Sequence, residues 1–77
     1  MAIKPDKPLA LTRREHDCLA LVAQGLSDNG IAARLAIKPV TVHAHIESAK
    51  RKLGARTRAH AVALAFLARV PFAQEPP

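Results

Sequence analysis

The chain has 77 residues, with 12 Lys and Arg against 6 Asp and Glu, a formal net charge of +6 and a pI of about 10.5. This length makes one small domain with a thin core, and the charge favours a polyanionic partner, nucleic acid before an anionic membrane surface. One cysteine excludes an internal disulfide and any zinc-finger spacing, and two Phe as the only aromatics argue against base-stacking recognition of RNA or single strands.

Residues 1–10, MAIKPDKPLA, carry two prolines and three charges and read as a flexible leader whose Lys4 and Lys7 are solvated. Thr12-Arg13-Arg14-Glu15 fits a capping box, with Leu11 before it as a hydrophobic staple. A first helix over about 12–24 follows, with Cys18, Leu19, Val22 and Ala23 inward and Arg13, Arg14, Asp17 and Gln24 outward. Gly25 ends it as a left-handed cap. Cys18 reads as core, because no neighbouring base would activate its thiol. His16 reads as a packing or surface residue.

Leu26 tucks under the next helix. Ser27 caps that helix, over about 28–35, with Asp28 at the positive end of its dipole and Ile31, Ala32 and Leu35 inward. Gly30 weakens it by about 1 kcal/mol relative to alanine. Ala36-Ile37-Lys38 forms a turn with Ile37 buried. Pro39 opens a third helix over about 39–53, where its missing N–H needs no partner. Lys38 is a poor N-cap, so this start relies on tertiary contacts.

The third helix has two faces. Val42, Ile46, Ala49 and Leu53 recur at the spacing that puts them on one side. At about 100° per residue, the opposite side carries Val40, Ala44, Glu47, Ser48 and Arg51. Thr41, His45 and Lys52 flank it on one edge and His43 and Lys50 on the other. A helix so arranged suits the major groove of DNA. It ends at Gly54, and Lys50, Arg51 and Lys52 compensate its dipole or, with Arg56 and Arg58 beyond them, meet phosphates.

Thr57 caps a fourth helix over about 58–69 that is apolar nearly all round, more than one buried stripe requires. It is expected to pair with its counterpart in a second copy, with Ala63, Phe66, Leu67 and Val70 near the contact. Pro71 ends regular structure, and residues 70–77 read as a flexible tail. No run of residues is long and apolar enough to span a bilayer and no signal peptide is visible, so a reducing cytoplasm is the default.

An ordered series of motifs resembles the LuxR-type (GerE-like, NarL/FixJ-like) helix-turn-helix domain. It comprises Leu11-Thr12-x-x-Glu15, Leu19, Val22-Ala23-x-Gly25-Leu26-Ser27, Ile31-Ala32-x-x-Leu35, Thr41-Val42-x-x-His45-Ile46 and Arg51-Lys52-Leu53-Gly54-x-Arg56-Thr57-Arg58-Ala59. The match covers about residues 10–66. It implies an all-α, four-helix DNA-binding domain whose third helix enters the major groove and whose fourth makes the dimer contact. On that resemblance His43, Ala44 and Glu47 face bases, and Thr41, His45 and Lys52 lie near phosphates. Lys38, Ser48, Arg51 and Arg56 complete the expected backbone contacts. His43 and Glu47 depart from the lysine, arginine or asparagine usual there, and a glutamate can read cytosine N4. Gly30 stands where a glutamate is usual, and Lys38 where a small hydroxyl cap is. The family usually joins this domain to a sensing or phosphoacceptor domain. None is present here, so the chain reads as a stand-alone regulator or a C-terminal piece of one.

The expected function is sequence-specific binding of double-stranded DNA by a homodimeric transcription regulator. No cofactor, metal, small-molecule ligand or membrane partner is expected. The competing reading is a protein–protein interaction module whose third helix has turned to a protein. Catalysis is not expected, because the chain has no glycine-rich phosphate loop and no carboxylate pair beside a nucleophile. His43 and His45 point to different helix faces and form no metal site.

Overall fold

The computed structural model describes residues 10–67. Within them lie four helices: α1 (Arg13–Ala23), α2 (Asp28–Leu35), α3 (Pro39–Leu53) and α4 (Arg58–Leu67). The four starts and the ends of α2 and α3 match the sequence expectations to within a residue. The expected extension of α4 to residue 69, the leader over residues 1–9 and the tail lie outside the described residues.

Each junction has a chemical cause. At the start of α1 the capping box is complete. The Glu15 N–H donates to Thr12 Oγ1 at 3.1 Å, and the Thr12 N–H donates to Glu15 Oε1 at 2.8 Å. Its end is a Schellman motif: the Leu26 N–H reaches back to the Leu21 carbonyl and the Gly25 N–H to that of Val22, with Gly25 at φ +93°. Ser27 Oγ accepts from the Gly30 N–H at 3.2 Å. Glycine leaves this half of a capping box without its return partner. The α2 end closes the same way, through the Ile37 N–H and the Ala32 carbonyl, but with Ala36 in the left-handed region at φ +59°. Lys38 makes no side-chain cap. Its carbonyl accepts from Thr41 and Val42, and Pro39 supplies the first turn. Gly54, at φ +67°, ends α3 with the Ala55 N–H bonded to the Lys50 carbonyl. Thr57 Oγ1 then caps α4 through the His60 N–H at 2.9 Å, while His60 Nδ1 accepts from the Arg56 N–H at 3.1 Å.

The core is in two parts, and α1 and α3 belong to both. Cys18, Leu21, Ile31, Ala32, Val42 and Ile46 form one cluster, edged by Val22, Leu26, Leu35 and Ile37. It clamps α2 between α1 and α3. Leu11, Leu19, Ala49, Ala61 and Ala65 form the other, edged by Leu53, Ala55 and Val62, and it seats α4. Leu11 is therefore a core residue and more than a staple. Along α1 the expected inward set needs one correction: Leu21 is buried and Ala23 is exposed. α1 packs against all three other helices, so its buried arc is wider than one stripe and is shifted toward Leu21. α4 approaches through alanines, which bring it close and leave larger side chains outside. Leu67 is 82% exposed, and Phe66 sits edge-on to His16 with ring centroids 5.1 Å apart.

Candidate nucleic-acid interface

α3 presents to solvent the face opposite its buried stripe. Val42, Ile46 and Ala49 are fully buried. His43, Ala44, Arg51 and Lys52 are exposed, as are Lys38 before the helix and Arg56 after it. Thr41, His45, Glu47 and Ser48 are half-buried along its flanks. The three residues expected to face bases, and those expected to face phosphates, are thus exposed or half-buried along α3 and at its two ends.

Two features of that surface were not visible in the sequence. The first is Glu15. It is 3% exposed and reaches from α1 to the flank of α3. Its Oε2 accepts from Ser48 Oγ at 2.6 Å, and its Oε1 accepts from Lys52 Nζ at 2.9 Å as well as from the Thr12 N–H. Burial alone would raise its pKa. The hydrogen bonds from Ser48, Lys52 and Thr12, with the Lys52 charge, outweigh that and hold the carboxyl below its ordinary value. Ser48 thereby spends its one proton on Glu15, which removes it as a hydroxyl donor to a phosphate. Lys52 spends one of three, on a side chain still 36% exposed. The sequence separations are 33 and 37 residues, so no local pattern encodes these bonds. The available hint was a carboxylate in register with Cys18, Leu19 and Val22.

The second is an ion pair at the opposite edge. Arg58, first in α4, grips Asp28, first in α2, through Nη1–Oδ1 at 2.7 Å and Nη2–Oδ2 at 3.4 Å. That hydrogen bond lowers the Asp28 pKa against a smaller opposing effect of burial, and the charges of Arg58 and His43 assist. Arg58 is thus committed within the fold. On α3 itself, Glu47 Oε2 accepts from Lys50 Nζ at 3.1 Å. The Lys50 bond first, with the Lys50, His43 and Arg51 charges, holds the Glu47 carboxyl below its ordinary value against slight burial. Glu47 is therefore ionised at neutral pH and acts only as an acceptor.

Of the residues expected at a dimer contact, Ala63 is half-buried, Phe66 and Leu67 are exposed on α4, and Val70 lies outside the described residues. Among the described residues no helix is long and apolar enough to cross a membrane, and no three His, Cys, Asp or Glu stand together as a metal site.

Residues 9–65 match the family model described as bacterial regulatory proteins, luxR family. A nitrate/nitrite response regulator protein homolog of Haemophilus influenzae is 45% identical over 62 residues, which are 79% of this chain and 30% of that protein. The nitrate/nitrite response regulator NarP of Escherichia coli is 48% identical over 54 residues, 70% of this chain and 25% of its own length. The chain thus spans less than a third of these curated relatives. A solved structure of the transcription factor GerE superposes with a TM-score of 0.74 at 30% identity, covering 82% of this chain and 92% of that one. With four helices in that arrangement and a family match running from the residues before α1 nearly to the end of α4, the chain belongs to the luxR family of bacterial regulatory proteins, as a helix-turn-helix DNA-binding domain.

Proposed function

We propose that α3 enters the major groove of double-stranded DNA and that two copies, joined through α4, read an inverted repeat for a transcription regulator of the bacterial cytoplasm. The observation that carries this reading is the exposed polar and basic face of α3, set opposite a stripe of fully buried Val42, Ile46 and Ala49. In this reading His43, Ala44 and Glu47 face base edges. Ala44 is small enough to let the helix axis approach. Glu47, an acceptor only and paired with the half-buried Lys50, suits the cytosine N4 amino group. Lys38, Arg51 and Arg56 contact phosphates, joined by Lys52, which Glu15 holds at the groove edge, and by Thr41 and His45. Ala63, Phe66, Leu67 and Val70 form the contact between copies, which sets the two α3 helices about one DNA turn, roughly 34 Å, apart.

The test is selection of bound duplexes from a random pool, followed by titration of the selected site at several salt concentrations and a mass measurement of the complex. The expected result is an inverted repeat, two chains per site, and affinity that falls linearly in log–log with salt. Arg51→Ala weakens all duplexes alike and flattens that slope, whereas Glu47→Ala changes the preferred base at one position per half-site. Recovery of no consensus, with binding indifferent to salt, refutes the reading and favours a protein partner for α3.

A further inference from the structure

The outward face of α3 holds one residue that neither the core nor the helix explains. Val40 is 69% exposed and belongs to neither buried cluster. It stands second in the helix, after Pro39, in a first turn with no acidic residue and no side-chain cap. Helix starts draw polar and acidic residues, and a valine there satisfies no backbone donor. By helical spacing it shares the side furthest from Val42 and Ile46 with the exposed Ala44, one turn on, and it follows the exposed cation Lys38 by two residues.

We propose that Val40 is a specificity-determining residue that packs on the 5-methyl group of a thymine. This rests on the proposed binding of α3 in the major groove. Recognition helices of this kind touch base edges through their N-terminal residues. Thymine's methyl is the apolar group that base edges present in the major groove. A β-branched side chain in a helix has one strongly preferred rotamer, so Val40 meets that methyl with little ordering to lose. The exposed Lys38, two residues before Val40, suits a phosphate beside such a contact, which argues for a nucleic-acid occupant over an apolar protein surface.

The experiment uses the duplex selected by the whole chain, with each thymine of one half-site replaced in turn by deoxyuridine, which lacks only the methyl. At one position the replacement is expected to weaken binding roughly three- to five-fold, the worth of one buried methyl. Val40→Ser is expected to bind thymine and uracil duplexes equally at that position, and Val40→Ile to keep the discrimination. Because the side chain is exposed, both variants fold, which thermal unfolding verifies. Indifference of the native chain to every replacement overturns the proposal while leaving groove binding intact, as does undiminished discrimination by Val40→Ser. Absence of any salt-sensitive duplex binding overturns both readings.

Discussion

Replacing Glu15 by alanine should cost the domain about 3 kcal/mol, far more than a charge at a helix start usually carries. Loss of a reciprocal cap is worth about 1 kcal/mol. The Ser48 hydroxyl donates to an ionised, buried oxygen at 2.6 Å, and leaving it without that acceptor costs about 1.5 kcal/mol. The Lys52 ammonium is over a third exposed and rehydrates, so its bond adds only about 0.5 kcal/mol. A chain of this size has roughly 4–11 kcal/mol in all, so Glu15→Ala should fall to marginal stability, with Tm lower by about 12–24 °C. Urea unfolding followed by helical circular dichroism measures it: the midpoint should drop with the slope unchanged. The sign of the pH dependence follows from the depressed folded pKa. The contribution is complete above the ordinary value of 4.5 and disappears as pH falls through the lower folded value. Glu15→Gln cannot titrate, so its stability should decline less than that of the native chain on acidification to about pH 3. A Glu15→Ala loss under about 1 kcal/mol, or parallel acid profiles for Glu15→Gln and the native chain, would refute the assignment of Glu15 as the tie between α1 and α3.

The remaining predictions concern the helix junctions and the core. A Cβ at Gly30 would meet the Leu26 side chain at 3.5 Å, an ordinary contact, so Gly30→Ala should stabilise by about 0.5–1 kcal/mol, read as a higher Tm. Ala36→Gly should also stabilise, by about 0.5 kcal/mol, because relief of the left-handed strain at φ +59° exceeds the added flexibility of the unfolded chain. Arg58→Ala should cost about 0.5–1 kcal/mol, less in high salt, since the Asp28 pair is partly exposed. Cys18 is fully buried, and burial first, then the Asp17 charge, pushes its thiol up. Its alkylation at neutral pH should therefore proceed no faster than the domain opens, and reaction at the rate of a free thiol would contradict the packing.

The features legible from the sequence were those set by neighbours a few residues apart. Thr12 and Glu15 are three residues apart and cap α1 as their types require. Pro39 opens α3, Gly25 and Gly54 close α1 and α3, and Val42, Ile46 and Ala49 point inward at helical spacing. Ala36 was not legible as a left-handed residue, because alanine carries no such signal and its strain is held by the packing of Leu35 and Ile37 on either side. Leu21 against Ala23 was decided by how many helices surround α1, which periodicity within α1 does not encode. The ties of Glu15 to Ser48 and Lys52, and of Arg58 to Asp28, join residues 30 or more apart and exist only once α1, α2, α3 and α4 are packed. Basic residues that look alike in the sequence therefore divide into those committed inside the domain and those left facing outward.

That division bears on how the domain would meet a polyanion. Each carboxylate among the described residues has a cation beside it: Glu15 with Lys52, Asp17 with Arg14, Asp28 with Arg58 and Glu47 with Lys50. An acidic group paired in this way repels phosphate less than a bare one, because the pair's field falls off faster with distance than that of a single charge. Among the described residues Arg34, Lys38, Arg51 and Arg56 make no ion pair with a carboxylate, although the Arg51 charge acts on Glu47 from a distance. Three of them follow α3 from its cap to the turn beyond its end, along a helix roughly 22 Å long at the rise per residue. The surplus positive charge is thus concentrated along the same helix that carries His43, Ala44 and Glu47. Phosphate attraction would then hold α3 in register over the bases without drawing on the pairs that keep the helices packed. Glu47 sits mid-way along this line, and its cost in that field is reduced by Lys50, one turn away. If Lys50 offsets that glutamate, Lys50→Ala should weaken binding by more than the loss of one phosphate contact, and the excess should vanish in a Glu47→Ala background.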